Sequence, residues 1–350
     1  MFTPPEGRDA TRQRRKDEEP RHDLISEALA KLDRFALAVG QTPMIELRNL
    51  GLSNGNRLFA KCEFMNPSGN LYDRVYANIM RTLLASGQII PGETTLVETT
   101  SGNAGTAFAH ICARLGFRCH VILPADTPAN RKAKIYNYGA EIIDSPKGKY
   151  VSGAVKTLKN FIQTHGSEYR AGTLICPDHS RNELSLESVA MIADEIVSDL
   201  GRMNLVPDIL VLGCGNGTTI LGTGGRLKVL MPHVRCMVFD PVEAPVAHGL
   251  LYPDLVQDYS QERQHRIIGT GGLGVSFPFL HDERFSRCVD GVSMVTDWEM
   301  VEAMKSLERR ERRTPGHSSA AAVSVALRIA KEVSGKNIVT IFYDDALYYN

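Results

Sequence analysis

The 350-residue chain is long enough for two domains of ordinary size, each with its own core. Its 40 basic and 40 acidic residues cancel, so no net field draws it to nucleic acid or anionic lipid. No apolar run has the length of a membrane span, and the N-terminus lacks a signal-peptide core.

From Met1 to about Asp23 the chain is rich in Arg, Glu, Asp and Pro and reads as a disordered tail. Apolar residues then recur at helical spacing from Leu24 to Val39 (Ile25, Ala28, Leu29, Leu32, Phe35). Short β-like runs follow at Met44–Leu47 and Leu58–Cys62. Further strands are expected at 95–98, 119–123, 141–144, 208–212, 234–239 and 338–342. Helices are expected from near Asn103, through 132–138, around 155–161, over 183–200, near Thr219, and at 298–310 and 319–333. Strands separated by helices of this length imply βαβ crossovers and mainly parallel sheets. The seven cysteines show no CxxC pair and no metal-like spacing, so they read as reduced, buried thiols of a cytosolic protein.

In such sheets ligands bind beyond the C-terminal strand ends. Thr99-Thr100-Ser101-Gly102-Asn103-Ala104-Gly105 leaves a strand and opens a helix. Its hydroxyls and free N–H groups suit a carboxylate or phosphate, although a simple N-cap needs one such residue too. Gly213-Cys214-Gly215-Asn216-Gly217-Thr218-Thr219 is a second strand-to-helix turn through which a backbone could approach an anion. With Asp240 ending the next strand, it also looks like the glycine loop and ribose-binding acid of S-adenosylmethionine-dependent methyltransferases. A methyltransferase would normally begin its sheet with this strand, whereas here it comes after more than half the chain.

The deciding segment is Asn66-Pro67-Ser68-Gly69-Asn70-Leu71-Tyr72-Asp73-Arg74. It resembles the Asn-Pro-x-x-Ser-x-Lys-Asp-Arg signature of the cysteine synthase and cystathionine β-synthase family of pyridoxal-phosphate (PLP) enzymes, fold type II, like tryptophan synthase β. The two loops, Thr42-Pro43-Met44, Arg131 to Glu141, Asp240 to Glu243 and Gly316-His317-Ser318-Ser319-Ala320-Ala321 fall in that family's order. The resemblance implies an α/β fold of two doubly wound domains with mainly parallel sheets and a ligand cleft between them. Residues 24–74 and 185–350 would form the large domain, and 75–184 the small one. It implies amino-acid chemistry of the β-elimination/β-replacement kind, a lyase or transferase acting on a small amino acid. It also implies a homodimer with no nucleic-acid or membrane partner.

By the same resemblance, Asn103 would contact the cofactor ring oxygen. Thr100, Ser101, Gly102 and Asn103 would hold the substrate carboxylate. Gly215, Asn216, Gly217, Thr218 and Thr219 would cup the phosphate, and Asp345 would stand at the pyridine nitrogen unless it merely caps a turn. No metal ligand is expected. The family's Schiff-base lysine, however, corresponds to Tyr72 here. Its neighbours depart as well, with Asn70 for Ser, Asn216 for Thr and Ala104 for Thr. Several changes around one pocket suggest natural divergence, with an engineered substitution at Tyr72 as the alternative. A phenol forms no imine, so PLP or a PLP–amino acid adduct would be held noncovalently, if it is held at all. Tyr72 either carries a proton, given a depressed pKa, or fills the lysine's space. The alternative is a pseudoenzyme that binds an amino-acid-like ligand or a partner subunit.

Overall fold

The computed structural model describes residues 7–100, 102–255, 265–271 and 277–348. In chain order the helices are α1 (Gly7–Ala36), α2 (Tyr72–Ala85), α3 (Asn103–Leu115), α4 (Ala129–Asn137), α5 (Tyr150–Thr164), α6 (Gly166–Ala171), α7 (Glu183–Gly201), α8 (Gly225–Leu230), α9 (Val246–Leu251), α10 (Glu283–Cys288), α11 (Asp297–Ser306) and α12 (His317–Glu332). The strands are β1 (Met44–Glu46), β2 (Arg57–Cys62), β3 (Thr95–Thr99), β4 (Arg118–Pro124), β5 (Glu141–Ser145), β6 (Leu174–Ile175), β7 (Ile209–Gly213), β8 (Arg235–Pro241), β9 (Gly291–Val295) and β10 (Asn337–Phe342). Among the described residues no helix is long and apolar enough to cross a membrane.

The strands form two sheets, one of six in the order β1-β2-β10-β7-β8-β9 and one of four in the order β5-β4-β3-β6. All pairings are parallel except β1 with β2. The last strand, β10, inserts between β2 and β7, so that Thr340 lies opposite Ala60 on one side and Val211 on the other. This insertion ties residues near the N-terminus to the C-terminal half. β6, two residues long, and β9, whose apolar residues are interrupted by serine, are edge strands too short or broken to stand out from sequence periodicity.

Both faces of each sheet are covered, as parallel sheets require. The six-stranded sheet packs Phe59, Leu210, Leu212 and Val339 against α7, and Ala60, Val211 and Ile338 against α12. In the four-stranded sheet, Leu96 and Val121 face α3, while Val97 and Ile122 face α5.

Two sequence expectations change here. The first helix reaches back to Gly7, well into the segment read as a disordered tail. Lack of apolar residues argues against a core, but Arg, Glu, Lys and Ala are good helix formers without one. Ala28, Leu32 and Phe35 of α1, expected with the larger unit, instead pack with Tyr76, Met80 and Phe108 beside the four-stranded sheet.

Helix α2 lies at the seam. Its Val75 and Ile79 join the core of the six-stranded sheet, while Tyr76, Met80 and Leu84 join that of the four-stranded one. Tyr72, at its first turn, touches both. A buried ion cluster fixes this start. The Arg74 guanidinium donates to both Glu63 oxygens at 2.7 Å and to Glu195 Oε1 at 2.6 Å and Oε2 at 3.0 Å. Lys61 Nζ lies 2.8 Å from both Glu195 Oε2 and Asp199 Oδ2.

Candidate functional site

In each sheet the chain reverses its direction of strand addition at one strand. β3, β4 and β5 run one way and β6 returns to the far side of β3; β7, β8 and β9 do likewise and β10 returns beside β7. Such switch points leave a crevice at the C-terminal strand ends. The loops after β3 and β7 are the two singled out by composition, and they line a shared cavity of about 620 Å³. Gly215, Asn216, Gly217 and Thr219 line it from one side, Thr99, Thr100 and Asn103 from the other, with Tyr72, His179, Arg131, Ser318 and Tyr343 between.

The glycine turn is built to expose its amides. Gly217 has φ +88°, and a Cβ on Gly215 would stand 2.6 Å from the Gly269 carbonyl oxygen, so neither position accepts a side chain without displacing backbone. The backbone N–H groups of Gly215, Asn216, Gly217 and Thr219 have no acceptor among the described residues. They stand where a helix begins, at Thr218, with one wide π-type turn (Ile220–Gly224) leading into α8. Thr218 departs from the expected role: its side chain does not line the cavity, and its amide donates to Asn216 Oδ1 at 3.0 Å. Asparagine here satisfies one donor of the turn internally.

The opposite loop is more committed to its own structure. Thr100 Oγ1 accepts from the amides of Gly102 (2.9 Å) and Gly105 (3.1 Å), which is capping work. Asn103 donates from Nδ2 to Asp344 Oδ2 at 2.7 Å, across the cleft. Gly102 does not line the cavity; with φ +146° and Arg131 Cδ only 2.3 Å from a would-be Cβ, it serves to let the arginine cross. Ser101 lies outside the described residues.

Asp345 is turned away. Its Oδ1 accepts from the Leu347 amide at 2.9 Å, capping a turn, and it does not line the cavity. The buried carboxylate is Asp344, which does not line the cavity either but is bonded to Asn103 and lies 3.5 Å from Arg131. Beyond the end of β10 successive side chains still point to opposite sides, so a one-residue offset in the reading exchanges the inward acid for the outward one. Asp240 is also out of the cavity: it is buried with Oδ2 accepting from the His248 amide, which removes it as a ribose-binding acid.

The Tyr72 amide donates to Asn70 Oδ1 at 2.9 Å. Its ring stands edge-on to His179, centroids 5.3 Å apart, and its hydroxyl has no hydrogen-bond partner among the described residues. Burial, reinforced by the Glu98 charge, pushes the phenol up to about 12. The shift is opposite to the depression a tyrosine base would need, so Tyr72 stays protonated at neutral pH and accepts no proton. No lysine lines the cavity, and none occurs at 101, 256–264 or 272–276. Lys61 Nζ is held by Thr42 O, Glu195 and Asp199, and Lys134 donates to Ser68 O.

Sequence reasoning missed Arg131, His179 and Ser318 as cavity residues. Arg131 and Ser318 lay inside stretches matched only for their order, and His179 stands alone in a loop, where one histidine carries no pattern. The site nevertheless fits PLP in its main demand. Open amides at the positive end of a helix suit a dianionic phosphate, and Ser318 and Arg131 offer polar wall elsewhere.

The family model for pyridoxal-phosphate-dependent enzymes matches residues 35–344, which include Tyr72 and the loops after β3 and β7. The chain belongs to that family. It is similar to a cysteine synthase of Staphylococcus aureus (strain Mu50 / ATCC 700699), with 27% identity over 312 residues, covering 89% of this chain and 93% of the relative. Among solved structures, the O-acetylserine-dependent cystathionine β-synthase of Helicobacter pylori matches with TM-score 0.76 at 25% identity, covering 90% of this chain and 96% of that one. A hydrogen sulfide-producing enzyme of Fusobacterium nucleatum matches with TM-score 0.77 at 27% identity, covering 92% and 90%.

Proposed function

We propose that this chain is a cysteine synthase-like protein of amino-acid metabolism that holds PLP, or a preformed PLP–amino acid adduct, without a covalent lysine link. The observation that carries the reading is the set of open amides at Gly215, Asn216, Gly217 and Thr219, facing a cavity that no lysine lines. The cofactor, when bound, supplies an electron sink for a small amino acid. The protein's own residues anchor the phosphate at the Gly215, Asn216, Gly217 and Thr219 amides. Arg131, paired with Asp344, gives the cavity a polar wall, while Tyr72 fills space beside the occupant and keeps its proton. The test is equilibrium dialysis against PLP. The wild-type chain should retain it, release it on denaturation and carry no borohydride-fixed mass. Gly215→Ala, whose Cβ meets the Gly269 carbonyl, should bind at least about tenfold more weakly. Equal binding by this variant would move the anion site elsewhere.

The competing reading is a pseudoenzyme that binds an amino-acid-like ligand or a partner subunit. It draws on Thr100, Asn103 and the Thr218 amide being engaged within the protein. A wild-type chain that retains no PLP in the dialysis would favour it. Free cysteines, six of seven of them buried, support a reducing, cytosolic setting. The family resemblance also supports a homodimer, and light scattering at micromolar concentration should report twice the chain mass. A monomer alone would end that part of the proposal.

A further inference from the structure

We propose that His179, held from behind by Glu98 and Tyr76, is the proton carrier of the cleft. The inference rests on the ligand-site reading above and deepens it, because Tyr72 keeps its proton and His179 stands edge-on beside it in the cavity wall.

Glu98, at the end of β3, is 1% exposed. Its Oε1 accepts the Thr99 amide at 2.9 Å, and its Oε2 accepts the Tyr76 hydroxyl and the His179 backbone amide, each at 3.2 Å. His179 Nδ1 lies 3.2 Å from the same Oε2 and 3.1 Å from the Tyr76 oxygen. Burial and the Glu98 charge raise the Tyr76 phenol well above its ordinary value, so it keeps its hydrogen and gives it to Glu98. Nδ1 then faces two oxygens and no donor, and must itself carry a hydrogen. In that tautomer the ring has a bare lone pair on Nε2. That atom has no hydrogen-bond partner among the described residues and is not among the sealed polar atoms, while the residue lines the cavity. The remaining charged or titratable neighbours are Tyr72 edge-on to the ring, Asp178 beside it and Cys176 behind Glu98.

A buried carboxylate without Arg or Lys is costly to keep for structure alone. Behind an imidazole it fixes the ring's orientation and offsets the charge formed when Nε2 takes up a proton. In that step the proton passes to Nε2, the electron pair of the broken bond stays on the occupant, and the proton returns by the reverse path. Glu98 and Tyr76 act through His179 and are positioning residues.

The test uses the full chain. In ¹⁵N-histidine spectra of the protein without ligand, the His179 ring should show a protonated Nδ1 and a bare Nε2, and Glu98→Gln should erase that signature. Diethyl pyrocarbonate should label His179, and saturating PLP should slow labelling at least tenfold. With PLP and L-alanine in deuterated water, His179→Gln should still bind PLP yet slow exchange of the α-hydrogen at least a hundredfold. Should that variant misfold, Glu98→Gln, a neutral isostere, should slow exchange at least tenfold. A His179 that resists labelling, or shows the opposite tautomer, overturns the inference. So does unchanged exchange in a PLP-binding variant, which leaves the cofactor reading standing. A wild-type chain that binds no PLP overturns both.

Discussion

Replacing Tyr72 with lysine should give the proposed PLP site a covalent link. Tyr72→Lys is expected to retain PLP as a borohydride-fixable adduct on the introduced lysine, read as a mass increment on that peptide, while the wild-type chain shows none. The position tolerates the change for local reasons. The Asn70 cap engages the backbone amide of residue 72, not its side chain. The tyrosine hydroxyl has no partner among the described residues, so its removal orphans none of their polar groups. What is lost is the edge-on contact with His179 and some volume, about 1–3 kcal/mol for a void of this kind. The introduced amine would emerge beside His179 in the shared cavity, which the glycine turn also lines. A folded variant that never traps PLP would show that the cleft has diverged beyond cofactor binding, in favour of the pseudoenzyme. A wild-type lysine adduct would mean that the lysine lies at a position other than 72.

Removing Arg74 should be the most damaging single change to stability. Arg74→Met leaves Glu63 (0% exposed) with only its Thr42 and Asn66 hydrogen bonds, removing the two from the guanidinium, and strips Glu195 of two more. Breaking a buried pair in this one-sided way costs about 3–5 kcal/mol, readable as a lowered urea midpoint at constant slope. The effect has a pH signature. Burial lifts the Glu195 carboxyl, but hydrogen bonds and charge from Arg74 and Lys61 outweigh it and hold the group down to about 2. A depressed folded-state value stabilises above the ordinary carboxylate range near 4.5 and is lost as pH falls from there toward 2. Acid unfolding of Arg74→Met should therefore begin at higher pH than in the wild type. An unchanged acid limb would mean that Lys61 alone holds Glu195.

Part of this protein was legible without coordinates. Alternating strands and helices, glycine turns after apolar strands and one nine-residue signature are local properties. They depend on periodicity and on which residues tolerate a turn, and the structure keeps them at the switch points β3 and β7. The tyrosine at position 72 of that signature is equally local, since it is read from one residue in the sequence.

What only the tertiary structure decided are relations between distant residues. Asp344 rather than Asp345 turns inward because of where β10 ends and which side each residue then faces. α1 packs beside the four-stranded sheet because Leu32 and Phe35 find Tyr76 and Phe108 there, contacts that helical spacing cannot foresee. Thr100, Asn103 and the Thr218 amide carry the expected residue types, yet their hydrogen bonds are spent on Gly102, Asp344 and Asn216. The Glu98–Tyr76–His179 cluster joins residues 22 and 81 positions from Glu98 through single contacts that leave no sequence pattern. Periodicity records which face a residue occupies; which partner meets it there is set only when the chain closes on itself.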